Sequence, residues 1–467
     1  MRRCGYCDFN TYTSTDLGGG GSQQAYASYV SKEIELAAAL SGSDKGLSDP
    51  ATTRGANAPH SAQDDEFFSA RPDNPLPSSC GTVAQTPSSC GPVAQTTSSC
   101  GPRRGIAGSL KRSDSALPVV SRRRVAAPQP TEDGLSTVYF GGGTPTVLPV
   151  GDLVQVLNKL RDTFGLAPGA EVSIEANPDT VSAESIGELA AGGFTRISFG
   201  MQSAVPSVLK TLDRTHNPEM INQVVKWARD AGLQVSLDLI YGTPGESLAD
   251  WRRSVEAAIA ANPDHISAYA LTIAPNTKLG RLVRHKQLPA PDDDDMADKY
   301  LLADELLRAA GYDWYEVSNW AKGGITGPFA CRHNMAYWNS DNWWGFGPGA
   351  HSHLAGERFW NVNHPRKWAE FLANGELPIA DSERLTEPQR ALETVFLRLR
   401  LASGMTVTEV EAARAALGYA ESDELRNLVY DLVRDELIKR EVFSAEQRLV
   451  LTPKGRLLAD QVVRTLT

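Results

Sequence analysis

Apolar positions along the chain follow two alternating rhythms. Short runs rich in β-branched and aromatic residues read as strands at Ser136–Phe140, Glu171–Ala176, Arg196–Met201, Gln234–Tyr241, His265–Thr272 and Trp314–Val317. Between them, Leu153–Phe164, Ala183–Ala191, Pro218–Ala231, Trp251–Ala261 and Met296–Ala310 carry apolar residues at helical spacing. Repeated strand–helix units imply an α/β fold with a parallel sheet and helices outside it. About six such units suggest a partial (β/α)6-type barrel, in which chemistry gathers at the C-terminal ends of the strands.

The rhythm fails in one place and changes in another. From about Ser41 to Asp133 there is little hydrophobic periodicity and much Ser, Pro, Gly, Ala and Thr. Such a segment cannot bury enough apolar surface to offset its ordering entropy, so residues 41–133 are expected to be a disordered insertion between core segments at 1–40 and 134–375. Inside it the decapeptide PSSCGTVAQT (77–86) recurs as PSSCGPVAQT (87–96) and begins again as TSSCGP (97–102). Cys80, Cys90 and Cys100 are therefore read as one cysteine copied by a repeat, because metal-ligand pairs usually sit two to four residues apart. After residue 376, Leu385–Leu401 and Leu425–Glu436 read as helices. Leu437–Phe443 and Gln447–Thr452 read as a two-stranded wing, and a closing helix begins at Pro453. This pattern predicts a winged-helix-like C-terminal domain.

Composition narrows the function classes. The 467 residues suffice for two or three domains, and 41% hydrophobic with 22% charged residues fits a globular protein. A net charge of -10 disfavours nucleic-acid binding, and so do thirteen Lys/Arg against fifteen Asp/Glu from Asp381 onward. No run of about 18 apolar residues occurs, and residues 1–20 lack a signal-peptide core. A cytoplasmic location is expected. Six cysteines are too few for a disulfide scaffold, so a close pair reads as metal or redox chemistry.

The candidate chemistry lies at strand ends. Cys4 and Cys7 form a C-x2-C pair around Tyr6. After the Ser136–Phe140 strand comes Gly141-Gly142-Gly143-Thr144-Pro145, whose glycines permit positive φ and close approach of a ligand to the backbone. Later strands place Glu175, Gln202, Asp238 and Ala270 at the same rim, with Arg214 on a following segment. Singly, Glu175, Arg214 or Asp238 fits a structural ion pair; together they describe one polar rim.

These motifs, CGYCDFN, FGGGTPT, SIEANP, FGMQ and DLIYGTPG in this order, resemble the radical S-adenosylmethionine enzymes related to oxygen-independent coproporphyrinogen III dehydrogenase, and within them the HemW branch of haem chaperones. The resemblance covers the chain outside the insertion. It implies a [4Fe–4S] cluster on three cysteines, with S-adenosylmethionine on the open iron. By position, Cys4 and Cys7 match the second and third cluster ligands. Tyr6, Gly142, Gly143, Thr144, Glu175, Gln202, Arg214, Asp238 and Ala270 match cofactor-binding positions. The first ligand would fall one position before Met1, so it and a first strand are expected upstream of this start.

Two departures separate the branches. The dehydrogenases carry a further cysteine two residues after the third ligand, where this chain has Phe9. Downstream, Cys331-Arg-His333-Asn334-Met-Ala-Tyr337-Trp338 matches the H-N-x-x-Y-W motif of the chaperone branch. Seven of nine tryptophans and four of eight histidines (His333, His351, His353, His364) lie between Trp314 and Trp368. Aromatic faces and imidazoles suit a porphyrin and its iron, although an ordinary aromatic core would look the same. The resemblance thus implies haem contact through His333, Asn334, Tyr337 and Trp338. It leaves open which residue holds the iron, with Cys331 as a second candidate. The expected function is haem binding and delivery to haem-dependent enzymes, respiratory ones among them, with peripheral membrane association. Oxidative decarboxylation of coproporphyrinogen III is the alternative.

Overall fold

The structure is a computed structural model that describes residues 22–43, 134–275, 277–420 and 424–467. Cys4, Tyr6, Cys7 and Phe9 lie outside the described residues, as does the expected insertion from residue 44 to 133.

Helix α1 (Tyr26–Ser43) precedes β1 (Leu135–Phe140). Four β/α units follow: α2 (Val150–Phe164) and β2 (Leu166–Ala176), α3 (Ala183–Ala191) and β3 (Arg196–Gln202), α4 and α5 (Pro206–Thr211, Met220–Asp230) and β4 (Gln234–Tyr241), then α6 (Leu248–Ala261) and β5 (His265–Ala270). The five strands are parallel and adjacent in chain order, forming a curled half-barrel. Sequence sets each helix boundary. Ser182 and Ser247 open α3 and α6 with capping boxes. On α5, Ile221, Val224, Val225 and Ala228 fall on one buried face. Burying one such branched side chain contributes about 1.5–3 kcal/mol, so this face alone fixes the helix against the sheet.

The strands alternate sharply between faces. Val138, Val172, Ile174, Ile197, Phe199, Val235, Leu237 and Ile266 point outward into the helix-covered core. Their neighbours Thr137, Tyr139, Glu171, Ser173, Glu175, Arg196, Ser198, Ser236, Asp238, His265 and Ser267 share the inner face, as the register pairs Tyr139↔Ser173, Ser173↔Arg196, Glu175↔Ser198 and Asp238↔Ser267 require. Parallel strands buried on both sides are usually apolar throughout. Here the inner face is polar through the body of the sheet, with Ile240 an apolar exception near the end of β4, so the interior of the half-barrel needs polar occupants.

The expected sixth parallel strand is different. After α7 (Lys278–Arg284) and α8 (Asp293–Ala309), β6 (Tyr312–Glu316) and β7 (Asn319–Lys322) form a hairpin. The sheet order is β1-β2-β3-β4-β5-β7-β6, with β7 antiparallel to both β5 and β6. Only Val317 and Ser318 connect the two strands, too few for a crossover, so the chain turns back on itself.

Next come α9 (Arg332–Trp338), a three-stranded antiparallel sheet of β8 (His351–Leu354), β9 (Glu357–Asn361) and β10 (Ile379–Arg384), and α10 (Pro365–Ala373) between β9 and β10. β10 pairs with β9 although it lies beyond the boundary expected at 375. Glu33 fastens this part to α1. One carboxylate accepts from Gly347 N (2.9 Å), Asn361 Nδ2 (2.6 Å) and Trp368 Nε1 (2.9 Å), and burial pushes it up to about 7.

The C-terminal domain, α11 (Glu387–Arg398) through α16 (Ala459–Leu466), has its own core around Val395, Val410, Val429, Leu432, Leu449 and Val462. The wing differs from the expectation. Of Leu437–Phe443 only Ile438 forms a bridge, to Leu451, and the chain is helical from Arg440 to Glu446 (α14). Leu437, Ile438 and Phe443 are all buried, a spacing that a strand or one helical turn satisfies equally. The short strand β12 (Arg448–Leu449) pairs instead with β11 (Met405–Thr406), which leads directly into α12 (Val407–Ala416); α13 (Glu424–Arg434) and α15 (Pro453–Leu457) complete the domain.

Candidate functional site: the rim and floor of the half-barrel

The strand C-termini bring the expected rim residues together. Gly142 and Gly143 sit just past β1 at φ +84° and +61°, with open space where a Cβ would stand. The amide of Gly142 donates to Glu175 Oε2 (3.1 Å) at the end of β2, and Tyr139 Oη donates to Glu175 Oε1 (2.9 Å). Gly141 has no room for a side chain: its Cβ would lie 2.6 Å from Tyr139 Cε1 and 3.0 Å from Glu175 Oε1. Thr144 Oγ1 accepts from Asn177 Nδ2 (3.0 Å), and Asn177 Oδ1 accepts from Arg214 Nη1 (2.9 Å). At the end of β3 the register slips between Phe199 and Gln202, and Gln202 takes a left-handed φ of 61°. The slip brings it beside Arg214, because a Cβ on Gly200 would stand 2.6 Å from Gln202 Nε2 and 2.8 Å from Arg214 Nη2. Asp238 on β4 accepts from Ser198 Oγ (2.8 Å). Ala270 ends β5 opposite Tyr241, its methyl at the edge of the apolar core, so its backbone is what it offers a ligand.

The electrostatics are those of an acceptor site. Burial raises Glu175 to about 7, against the hydrogen bond from Tyr139. Burial also raises Asp238, against the hydroxyls of Ser198 and Ser267. Two desolvated carboxylates and one guanidinium at a glycine-lined rim suit a ligand carrying an ammonium, hydroxyl groups and a carboxylate. S-adenosylmethionine has all three, so the residues present fit it. Among the described residues, no group of three His, Cys, Asp or Glu could hold a metal ion. Likewise, no helix among them is long and apolar enough to cross a membrane.

The residues expected to meet haem lie elsewhere, on the inner face toward the strand N-termini, where α9 forms a floor. Buried Glu171 accepts from Arg332 N (3.0 Å) and His333 N (3.0 Å), capping the helix, and lies 3.4 Å from Cys331 Sγ. His333 has both ring nitrogens engaged, Nδ1 with Thr137 Oγ1 (2.8 Å) and Nε2 with Tyr337 Oη (2.9 Å). Burial lowers it to about 4, so it is neutral. Asn334 Nδ2 donates to Glu316 Oε1 (3.0 Å), and Trp338 is buried. Burial pushes the Cys331 thiol up to about 12, far from a thiolate. His351 and His353 lie outside this floor on β8, His351 stacked on Trp360 and His353 tilted against Trp343. Tyr139 and Asn177 belong to the site beyond the residues named from the sequence, and only position signals them: Tyr139 shares a face with Thr137, two residues before the glycines, and Asn177 directly follows β2.

Comparison with known proteins agrees with this geometry. The Radical SAM superfamily profile matches residues 109–258. The chain is 47% identical over 331 residues to the heme chaperone HemW of Mycobacterium tuberculosis, covering 71% of this chain and 80% of that one. It is 31% identical over 332 residues to heme chaperone HemW of Bacillus subtilis, covering 70% and 84%. Among solved structures, the coproporphyrinogen III oxidase HemN of Escherichia coli, a radical SAM enzyme, superposes with a TM-score of 0.59 at 21% identity over 71% of this chain and 77% of that one, a likeness of fold. With the rim and the order of its motifs, these relationships place the chain in the radical S-adenosylmethionine superfamily, and it belongs to the HemW haem chaperone family.

Proposed function

We propose that this protein is a haem chaperone that binds haem and hands it to haem-dependent acceptor enzymes in the cytoplasm, some of them at the membrane surface. The observation that carries the reading is the 47% identity, over 80% of its length, to a protein named heme chaperone HemW. Phe9 supports it, standing where the dehydrogenases have a cysteine.

Cys4 and Cys7 are the proposed thiolate ligands of a [4Fe–4S] cluster, with Tyr6 beside it. Gly142, Gly143, Thr144, Glu175, Gln202, Arg214, Asp238 and Ala270 are the proposed S-adenosylmethionine contacts. Bound to the cluster, that cofactor supplies one-electron chemistry. The chain's own part is to hold the glycine loop open, present desolvated acceptors, and fix Arg214 through Asn177. The aromatic-rich stretch 314–368 is the proposed haem-bearing region. Within it, His333 would have to give up a hydrogen bond to Thr137 or Tyr337 before it could ligate iron.

The test uses reconstituted, anaerobic protein. It should bind haem in a Soret titration and transfer it to an apo-haem acceptor. Given coproporphyrinogen III, reductant and S-adenosylmethionine, it should form no protoporphyrinogen IX; sustained turnover would overturn the chaperone reading.

A further inference from the structure

The His333 ring does more than fill the floor. Its nitrogens are pinned at both ends, to Thr137 and Tyr337, and Tyr337 also meets it edge-on with centroids 4.9 Å apart. The ring's flat face lies against Tyr139, centroids 5.1 Å apart and planes within 17°. Tyr139 in turn donates to one oxygen of Glu175, whose other oxygen receives the amide of Gly142. The glycine loop packs directly on the Tyr139 ring, as the missing space at Gly141 shows. An unbroken line of contacts therefore runs from the H-N-x-x-Y-W helix at the floor to the glycine loop at the rim.

We propose that His333 is a positioning residue for the cofactor rim: stacked on Tyr139, it sets the Tyr139–Glu175 hydrogen bond and with it the conformation of the Gly141–Thr144 loop. On this assignment the motif's histidine serves S-adenosylmethionine binding, and haem iron takes its ligand elsewhere. The inference rests on the rim being the cofactor site proposed above. Three features favour it over iron ligation. Both nitrogens already have partners, the ring is buried, and the residue it stacks on is itself bonded to a rim carboxylate. A role in stability alone would also need the pinned ring, but it would leave the loop unaffected.

The experiment compares full-length wild type with His333→Ala and His333→Phe, checking by circular dichroism that each is folded. The Phe variant keeps a flat ring against Tyr139 while discarding both nitrogens. Three quantities are read: hydrogen exchange of the 140–146 segment without ligand, S-adenosylmethionine affinity by titration calorimetry, and haem affinity from the Soret band. In His333→Ala, loop exchange should rise about tenfold and S-adenosylmethionine affinity should fall about tenfold, with haem affinity and Soret position unchanged. His333→Phe should recover most of both losses. Tyr139→Phe, which keeps the stack and removes the hydroxyl, should repeat the His333→Ala pattern. Loss of the Soret band in both His333 variants would identify an iron ligand and overturn the proposal. A lowered melting temperature with unchanged loop exchange and cofactor affinity would overturn it in favour of a purely structural role. Wild type that binds no S-adenosylmethionine would instead sink the rim assignment itself.

Discussion

Arg456 on α15 meets Asp304 on α8 fork to fork: Nη1 donates to Oδ1 and Nη2 to Oδ2, each at 2.8 Å. Trp320 Nε1 donates to the same Oδ1 (2.9 Å), and the guanidinium lies over the Trp314 ring, 4.4 Å from its centroid. Burial works against the Asp304 charge, but the paired guanidinium outweighs it and holds the carboxyl below its usual range. This pair ties the C-terminal domain to the half-barrel. Arg308, four residues along α8, also pairs with Asp304, so removing Arg456 costs less than the about 3–5 kcal/mol of a fully stranded buried charge. Arg456→Ala should still lower the urea midpoint, with the C-terminal helices becoming the first to exchange. A change under about 1 kcal/mol would show that the domains are held by other contacts.

Glu33 gives the protein a pH-dependent term with a definite sign. Its folded value of about 7 is above the ordinary carboxylate value, so the native state holds this proton more tightly than the unfolded chain. The contribution is fully present below about pH 4.5 and is lost as pH rises through 7, on the order of 3 kcal/mol. Glu316, raised to about 7 by burial, acts in the same direction. Melting curves between pH 5 and 8 should show a shallower decline for Glu33→Gln than for wild type. Parallel curves would contradict the assignment.

Gly200 leaves the rim no margin. A methyl there would press on Gln202 and Arg214, at 2.6 and 2.8 Å from its ideal position. Both clashing atoms are the ends of flexible side chains, so a shift of either relieves the clash, and that shift falls on the proposed ligand contacts. Gly200→Ala should weaken S-adenosylmethionine by about tenfold or more in calorimetry. Unaltered affinity would mean that neither side chain touches the cofactor.

Deleting residues 44–132 should preserve the circular dichroism spectrum and haem titration. The two ends it would join are held by the described fold: α1 packs on α2, with Lys159 Nζ 2.6 Å from Glu35 Oε1, and β1 lies beside β2. Loss of soluble, helical protein would show that the segment contributes to the fold.

The sequence announced strands and helices where local period and tertiary role coincide. Gln234–Tyr241 and Ala183–Ala191 match their predicted bounds because their apolar faces meet the core without interruption. The rim was legible for a different reason: its residues stand in short motifs at strand ends. What stayed hidden depends on partners distant in sequence. β7 has four residues and gains its identity from pairing with β5 and β6. Leu437–Phe443 carries apolar spacing that fits a strand, yet the chain is helical from Arg440, because so short a run does not discriminate between the two periods. The floor could not be read from the H-N-x-x-Y-W motif, since Thr137 lies 196 residues before His333. The alternation of polar and apolar residues within each strand was present throughout, and it marks a sheet whose inner face must be filled by polar groups.

The carboxylate of Glu33 has a consequence for how the chain is made. Its three donors follow it by 314, 328 and 335 residues. At ribosomal speeds of about 5–20 residues per second, α1 waits roughly 15–60 s after its synthesis for them to exist. Through that interval Glu33 is a solvated, ionised side chain, and Val30, Ile34 and Ala37 have at most α2 to cover them. The helix can be sealed in place only when nearly four-fifths of the polypeptide has emerged, and the desolvation that raises Glu33 waits until then.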